Sequence, residues 1–422
     1  MKTLKIIFFS FIFGLNVNAQ MQTPPMYYAD YSRIKDASGV AKPFAKDPSV
    51  IQFNNRFLMY YSICGASTNG NPGNSGWSMA IAESQDLVSW KRVGEIVSNP
   101  LHSWESKGIC APCAKVINGK VQLFYQTYGN GAGDAICHAY SSDGINFTRN
   151  ATNPIFRPTG DWNCGRAIDA EIFHFGNKYF LYFATRDKPY VKQLTGVATA
   201  PDTTVTFNKS VWTQACTAPI LAPEYPWEGN CTEGASIIER NGKLYMFYAG
   251  NYNNAPQQIG VAVSTDGLKW TKLSTTPFLS NGATGSWNKS ESGHPGIYDF
   301  EGQLSFLFYQ GNNDGGKTWW LSQIEIFWNE NGPSKVPVTA LPSNKFNDIF
   351  TVSCNNGLLE INTNIAQTAK MDILSIDGKM IKKIDIKSNE KKIITVSYLK
   401  QGMYLCKLKV ANHIYCQKVI LK

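Results

Sequence analysis

The chain has 422 residues, about three times the size of a typical domain, so we expect two or three domains. Its 43% hydrophobic content supports a large buried core and excludes a disordered or fibrous chain. The formal charge of +9 is uneven, because residues 350–422 hold 12 Lys against five Asp and Glu, while residues 21–349 are neutral. A neutral body that contains all 11 Trp argues against a nucleic-acid groove and suits an uncharged, hydroxyl-rich ligand.

The first 19 residues are typical of a secretory signal peptide. Lys2 and Lys5 precede an apolar run from Ile6 to Leu15, and Ala19 fits a cleavage site. The alternative is an N-terminal anchor, but the run is too short for ~30 Å of hydrocarbon, and no later segment reaches ~20 consecutive apolar residues. We therefore expect no membrane span and a mature protein that is secreted or held at the cell surface.

Ten cysteines in an exported chain make disulfides plausible, with their pairing left open. Cys110-Ala-Pro-Cys113 has CxxC spacing, but no second CxxC exists to complete a zinc site. We predict structural or unpaired cysteines and no metal site built from them.

A pattern of about 60 residues recurs five times: an apolar strand, a short turn with Asn or Gly, and an aromatic strand. The copies open at Asp47, Ala111, Asp169, Glu233 and Gly293-His294. Each copy is expected to continue into a third strand that closes on a Ser/Thr-Asp turn and an aromatic residue, as in Ser84-Gln-Asp-Leu-Val-Ser-Trp90. Short strands at this spacing, with no helix between them, predict an all-β fold: a five-bladed β-propeller over residues 20–330. A β-sandwich is the rival fold, but it would not produce five copies of one motif.

Beyond Trp328 the composition changes. Prolines with Ser, Asn and Lys predict a linker over 331–349. Residues 350–422 contain short strands and no Trp, which predicts a small C-terminal β-sandwich-like domain that ends in a hairpin turning near Ala411-Asn412.

The opening position of each repeat predicts a ring of residues around the propeller axis. These are Asp47, Ala111, Asp169, Glu233 and His294. Three carboxylates at equivalent positions would oppose each other's ionisation, so at least one should keep its proton to higher pH. One acid beside one base is the arrangement that acid–base chemistry needs. The alternative is that these acidic residues only cap turns.

The same residues resemble glycoside hydrolase family 43, whose members are five-bladed propellers that act on arabinose- and xylose-containing glycans. The resemblance rests on Lys46-Asp47-Pro48, Ile168-Asp169, Glu233-Gly234 and Gly293-His294, together with the Ser84–Trp90 turn. It implies that Asp47 is a general base, that Glu233 is a general acid, and that Asp169 raises the pKa of Glu233. It implies no required cofactor, although some members hold a calcium ion near the position of His294. Pro48 is expected to keep Asp47 extended.

The chain departs from the family pattern in two blades. Ala170 and Glu171 follow Asp169 where a proline is usual, and on a regular strand Glu171 would share a face with Asp169 and compete for its role. Blade 2 has Cys110-Ala-Pro-Cys113 in place of Trp-Ala-Pro-Asp, so the sugar preference does not carry over.

Substrate-binding residues are predicted by their neighbourhood in the sequence. Trp104, Trp162 and Trp227 lie in loops that precede blade motifs, where a sugar's apolar face could stack on an indole ring. Arg166 could bind a hydroxyl group or pair with a carboxylate, and His294 would lie near the axis.

The C-terminal 70 residues resemble the sorting domain of the type IX secretion system. The match rests on Ile376-Asp-Gly-Lys-Met380, Val396-Ser-Tyr-Leu-Lys-Gln-Gly-Met-Tyr-Leu405 and Lys418-Val-Ile-Leu421. It implies that an outer-membrane export machine recognises the tail.

Together these patterns predict an exported, inverting glycosidase, exo-acting on arabinose- or xylose-containing oligo- or polysaccharides. The alternatives are a related propeller glycosidase such as an anhydro-galactosidase, a non-catalytic carbohydrate-binding propeller, and a phosphorolytic propeller enzyme. The Asn-Asp-Pro-Asn motif of fructan hydrolases is absent.

Overall fold

Each of the five sequence repeats folds into one antiparallel sheet whose strands pair in chain order. The computed structural model describes residues 26–36, 38–64, 76–301, 304–335, 350–375, 380–410 and 413–421. The predicted signal peptide, linker residues 336–349 and the turn at Ala411-Asn412 lie outside the described residues. The predicted fold class, an all-β propeller of five blades followed by a small β domain, is confirmed.

The first four blades have four strands each. In order from the axis, the strands are Lys46–Phe53, Arg56–Cys64, Trp77–Ser84 and Lys91–Ile96 in blade 1; Ile109–Ile117, Lys120–Thr127, Ile136–Ser141 and Thr148–Arg149 in blade 2; Ile168–Phe175, Lys178–Arg186, Gln193–Pro201 and Thr213–Gln214 in blade 3; and Thr232–Arg240, Lys243–Gly250, Gln258–Ser264 and Thr271–Lys272 in blade 4. The first strands of neighbouring blades contact one another in a closed circle of five, which defines the central axis.

The N-terminal segment completes blade 5. This blade contains Glu291–Glu301, Leu304–Asn312 and Trp320–Asn329, and its outer edge pairs with both Gly332–Ser334 and the early strand Tyr27–Tyr28. The hydroxyl groups of Tyr28 and Tyr61 are 2.7 Å apart, and Tyr61 donates to Asp30. The N-terminal strand therefore closes the ring of five blades, because it pairs with the last long strand of the propeller.

A β-bulge occurs at the same place in every first strand. The register shifts after Lys46, Cys110, Ile168, Glu233 and Gly293. The next residue has a positive φ angle in each case: Asp47 (52°), Ala111 (49°), Asp169 (51°), Gly234 (58°) and His294 (45°). The predicted ring residue is therefore the bulge residue in four blades. In blade 4 the prediction is wrong by one residue, because Gly234 is the bulge residue and Glu233 precedes it. The expectation that Pro48 keeps Asp47 extended is also wrong, because the bulge requires a left-handed residue.

The bulges link each blade to the one before it. A bulge leaves one backbone N–H without a partner in its own sheet. A side chain on the second strand of the preceding blade accepts that hydrogen in three cases: Asp47 N–H donates to Gln310 (2.9 Å), Ala111 N–H to Ser62 (2.8 Å) and Asp169 N–H to Gln126 (2.8 Å). The ring residues are therefore fixed by contacts between blades.

The predicted Ser-x-Asp turns are confirmed at the outer end of three third strands. Asp86, Asp143 and Asp266 each accept two backbone N–H groups from residues two and three positions later, at 2.7 to 2.8 Å. The indole N–H groups of Trp90 and Trp270 donate back into their turns at 3.2 Å. This turn repeats because one aspartate satisfies two donors that the backbone cannot pair.

The C-terminal domain has two sheets around its own apolar core. Its strands are Phe350–Asn355, Leu358–Thr363 and Lys391–Thr395 in one sheet, and Ala369–Ser375, Met380–Ile386, Gly402–Val410 and His413–Leu421 in the other. Leu374 and Leu405 also join the blade 1 cluster that contains Leu87. Leu87 follows the third strand of blade 1, so the domain contacts the propeller at the end opposite the ring residues.

The remaining regular elements are small. A hairpin pairs Ile34–Lys35 with Ala41–Lys42, and short 3-10 helices span Gly131–Gly133, Lys209–Val211 and Pro226–Glu228. Among the described residues, no helix is both long and apolar enough to cross a membrane. Among the described residues, Cys64, Cys110, Cys113, Cys137, Cys164, Cys216, Cys231 and Cys354 form no disulfide.

We expect Tyr28→Ala to lower the free energy of unfolding by about 2 kcal/mol, because it removes a half-buried ring and its hydroxyl contact with Tyr61. Denaturant unfolding followed by Trp fluorescence would measure the change. Tyr398→Ala is the control, since Tyr398 is 64% exposed. Equal midpoints for the two variants would contradict closure of the ring by the N-terminal strand.

Candidate active site

Three ring residues from blades 1, 3 and 5 meet at the axis. The imidazole Nε2 of His294 lies 3.6 Å from Asp47 Oδ1 and 3.4 Å from Asp169 Oδ1. Both carboxylates are almost fully buried. Residues separated by more than 100 positions in the sequence therefore form one cluster.

Opposite charges set the protonation of this cluster. Burial alone would lower the pKa of His294, but the charges of Asp47, Asp169 and Glu233 raise it to about 9, so the ring is cationic at neutral pH. Burial alone would raise the pKa of Asp47, but the positive charges of His294 and Lys46 hold it below its ordinary value. Asp47 is consequently ionised at neutral pH and can accept a proton.

Glu233 has the opposite tendency. Burial and the negative charge of Asp169 together raise its pKa to about 7, although the charges of His294 and Lys46 and the hydrogen bond from Gln257 oppose the rise. Gln257 Nε2 donates to one carboxylate oxygen at 2.6 Å, and Gln193 Nε2 donates to the other. The site thus contains one ionised carboxylate and one that holds its proton close to neutral pH.

Two charged residues that the sequence did not single out complete the site. Glu291 is fully buried, accepts from Gln310 Nε2 at 2.6 Å and from the Asn254 N–H at 2.7 Å, and has a pKa raised to about 7, mainly by burial. Lys46 immediately precedes the bulge of blade 1, as Glu233 precedes that of blade 4, and its charge is attracted to Asp47, Glu291 and Glu233. Glu291 lies two residues before its repeat motif, so the repeat gave no signal for it.

Two indole rings lie beside the ammonium group of Lys46. The ammonium group of Lys46 lies 4.4 Å from the ring centre of Trp319 and 5.5 Å from that of Trp77. These two indoles are absent from the predicted substrate-binding set. Trp77 begins the third strand of blade 1, and Trp319 immediately precedes the third strand of blade 5. Neither residue lies next to a repeat motif in the sequence, so the sequence did not indicate them.

The three predicted tryptophans pack between strands instead. The indole of Trp162 would clash with a side chain at Gly196, Trp227 fills the space beside Gly250 and Gly260, and Trp104 stacks on His102 at 4.5 Å. All three are half-buried in clusters of blade side chains. Their contact with substrate stays a prediction that depends on their exposed edges.

Arg166 lies beside the site and contacts a carboxylate, one of its two predicted uses. Its Nε is 3.5 Å from Asp134 Oδ2, and its Nη1 donates to Gln193 at 3.2 Å. The amide of Gln193 in turn contacts Glu233. Arg166 therefore reaches the proposed acid through one intermediate side chain.

Glu171 is separated from Asp169 by the bulge. It accepts from Lys115 Nζ at 2.9 Å and from the Ile237 N–H at 3.0 Å, and Cys113 Sγ lies 3.0 Å away. The shared strand face that the sequence implied does not form, because the register shifts between Ile168 and Glu171. Glu171 links blades 2, 3 and 4 below the ring.

The described residues do not fit a protein-built calcium site. Within the ranges given above, no group of three or more His, Cys, Asp or Glu side chains is placed to hold a metal ion. His294 carries a proton at neutral pH and faces two carboxylates, so it is unsuited to be a direct ligand. Calcium near His294 remains a prediction, and no step below depends on it.

We expect His294 to stay protonated through pH 8 and to titrate at lower pH in Asp47→Asn, which removes the carboxylate that contributes most to the raised pKa. Imidazole ¹⁵N chemical shifts would follow the titration. His138 is an internal control, since burial lowers its pKa to about 3 and should keep it neutral. Identical His294 titrations in the two proteins would contradict the coupling.

Known proteins share this architecture. The chain matches the family model of glycosyl hydrolases family 43 over residues 38–332, and that of the secretion system C-terminal sorting domain over residues 346–422. No curated protein matches it.

Similar solved structures include a thermostable family-43 glycoside hydrolase (22% identity, TM-score 0.54, covering 71% of this chain and 96% of that chain). Others are an endo-1,4-beta-xylanase from Bacteroides thetaiotaomicron (22%, 0.52, 69% and 94%) and an alpha-L-arabinofuranosidase from Lactobacillus brevis (18%, 0.52, 71% and 97%). At these identities the structures establish the fold, and the family model covers well over half of the chain. The chain therefore belongs to glycosyl hydrolase family 43, and it is a glycoside hydrolase with a C-terminal sorting domain.

Proposed function

We propose that this glycoside hydrolase is an inverting enzyme in which Asp47 is the general base and Glu233 the general acid. The observation that carries the proposal is the opposite protonation of two buried carboxylates in one site. The pKa of Asp47 is held below its ordinary value by His294 and Lys46, against burial, whereas burial and Asp169 raise that of Glu233 to about 7. Such a separation supports Asp47 as the base and Glu233 as the acid.

The inverting displacement uses the two groups on opposite faces of a sugar ring. Asp47 removes a proton from water as the water attacks the anomeric carbon. Glu233 gives its proton to the glycosidic oxygen as the bond to that carbon breaks. A base and an acid from blades 1 and 4 suit this geometry, which needs ~6.5–9.5 Å between the carboxyl groups.

Asp169 acts on Glu233 through its charge. It contributes to the raised pKa of Glu233 and contacts His294, whose charge opposes the same rise. We propose that Asp169 keeps Glu233 protonated at weakly acidic pH. Hydrolysis should therefore be fastest below about pH 7 and decline as Glu233 loses its proton.

We propose arabinose- or xylose-containing glycans as the substrates, with exo action. The xylanase and arabinofuranosidase among the similar structures support this class of sugar. A panel of aryl arabinofuranosides, xylosides and galactosides would test it. Preferential cleavage of a galactoside would favour the related anhydro-galactosidase activity, and binding without cleavage would favour a carbohydrate-binding propeller.

We also propose that the chain is exported by the type IX secretion machinery to the cell surface or beyond it. The sorting-domain match over residues 346–422 supports this route, and residues 1–19 would direct the first membrane passage. The sorting domain contacts blade 1 near Leu87, away from the ring residues.

We expect Glu233→Gln to reduce cleavage of natural glycans by ~10²–10⁴-fold while largely sparing aryl glycosides with acidic leaving groups, which need little protonation. Asp47→Asn should impair both substrate types, because water must be activated in either case. NMR of the first sugar released should show an inverted anomeric centre. A retained configuration would overturn the inverting assignment and make Asp47 a nucleophile.

Removing residues from 345 onward should leave hydrolysis by the purified protein unchanged and abolish export in a host with type IX secretion. Activity assays of secreted and cell-associated fractions would measure both effects. The full-length Glu233→Gln variant is the control, because it should be exported and should still cleave activated aryl glycosides while hydrolysing natural glycans poorly. Loss of hydrolysis by the folded truncated protein would make the tail part of the active site.

A further inference from the structure

We propose that Gln193 and Gln257 are positioning residues that together fix the orientation of the Glu233 carboxyl group. The proposal rests on the proposed role of Glu233 as the general acid. The two glutamines stand at equivalent positions of blades 3 and 4, in Gln193-Leu-Thr-Gly-Val-Ala198 and Gln257-Gln-Ile-Gly-Val-Ala262, and both are at least 98% buried.

Gln193 is held in one orientation by two arginines. Its Oε1 accepts from Arg166 Nη1 and Arg186 Nε, both at 3.2 Å, and its Nε2 donates to Glu233 Oε2. A guanidinium group can only donate, so the amide oxygen must face the arginines and the amide nitrogen must face Glu233.

Both arginines are themselves held in place. Arg166 lies beside Asp134. Arg186 donates to the Tyr190 carbonyl at 3.1 Å and lies 4.6 and 4.9 Å from the ring centres of Tyr190 and Tyr252. The orientation of Gln193 is thus determined by side chains from blades 2, 3 and 4.

Gln257 is held from the other side. Its Nε2 donates to Glu233 Oε1 at 2.6 Å and to the Asn251 carbonyl at 3.0 Å, so both amide hydrogens are used. A Cβ atom on Gly293 would lie 1.9 Å from Gln257 Oε1. The glycine before His294 therefore leaves room for this glutamine.

The two amides favour the ionised form of Glu233, whereas burial and Asp169 favour its protonated form. Each oxygen of Glu233 accepts one amide hydrogen, which favours the ionised carboxylate that remains after proton donation. The charged and titratable groups around it are the cations His294, Lys46 and Arg166, and the acidic groups Asp169, Glu291, Cys231 and Tyr252. Without an amide donor, burial and Asp169 would hold the proton to higher pH.

Gln257→Leu and Gln193→Leu would test the proposal in the full chain. In each, the alkaline limb of the kcat/KM profile should move up by about one pH unit, since one hydrogen bond to the charged form is lost. Asp169→Asn should move the limb down. Cleavage of natural glycans should fall on the order of 10-fold more than that of activated aryl glycosides.

Gln122→Leu is the matched control. Gln122 is a buried glutamine whose amide contacts His138 in blade 2, remote from Glu233. It should leave the pH profile unchanged. A purely structural role predicts that the rate falls equally at every pH. An unshifted kcat/KM profile with such a uniform fall in Gln257→Leu and Gln193→Leu would therefore overturn the proposal.

A second measurement separates this proposal from the proposed function. Titration of ¹³C-carboxyl-labelled glutamate, with the Glu233 signal assigned by its loss in Glu233→Gln, reports its pKa without turnover. An upward shift in Gln257→Leu supports the positioning role even if Glu233→Gln spares hydrolysis, a result that would refute only the acid assignment. An unchanged titration refutes the positioning role whatever the activity.

Discussion

The repeated β-bulge at the start of each first strand is the constraint on which the rest of the site depends. It places Asp47, Asp169 and His294 in left-handed conformations that an unconstrained chain avoids, at a cost of roughly 1–2 kcal/mol each. It also leaves backbone N–H groups that the preceding blade must satisfy, through Gln310 for Asp47 and Gln126 for Asp169. The same contacts between blades therefore close the five-bladed propeller and place the carboxylates.

Charge balance explains how so many carboxylates share a small volume. Asp47, Asp169, Glu233 and Glu291 are all buried, and an isolated buried carboxylate would be strongly destabilising. Lys46 and His294 supply compensating charge from blades 1 and 5. Asp47 lies next to both cations and is ionised, whereas burial dominates at Glu233 and Glu291 and raises their pKa values to about 7. The difference in protonation between the carboxylates thus comes from their neighbours.

The two ends of the propeller have separate tasks. The starts of the first strands hold Asp47, Asp169 and His294, and the turns after the third strands are fixed by Asp86, Asp143 and Asp266. The C-terminal domain packs through Leu374 and Leu405 against the second end. Because antiparallel blades place these features at opposite ends, recognition for export need not disturb the hydrolytic site.

The sequence by itself determined the five-fold repeat, the propeller, the sorting domain and the identity of Asp47, Asp169, Glu233 and His294 as the residues to examine. The repeat, the propeller and these four residues follow from local spacing, which strand geometry converts directly into structure, whereas the sorting domain follows from resemblance to a known family. The tertiary structure decided that Gly234 takes the ring position while Glu233 precedes it, since a bulge changes register without changing repeat length. The tertiary structure also decided which side chains from other blades contact these carboxylates. That Lys46, Glu291, Gln193 and Gln257 are these partners does not follow from the repeat, because contacts across the axis depend on how the ring of blades closes.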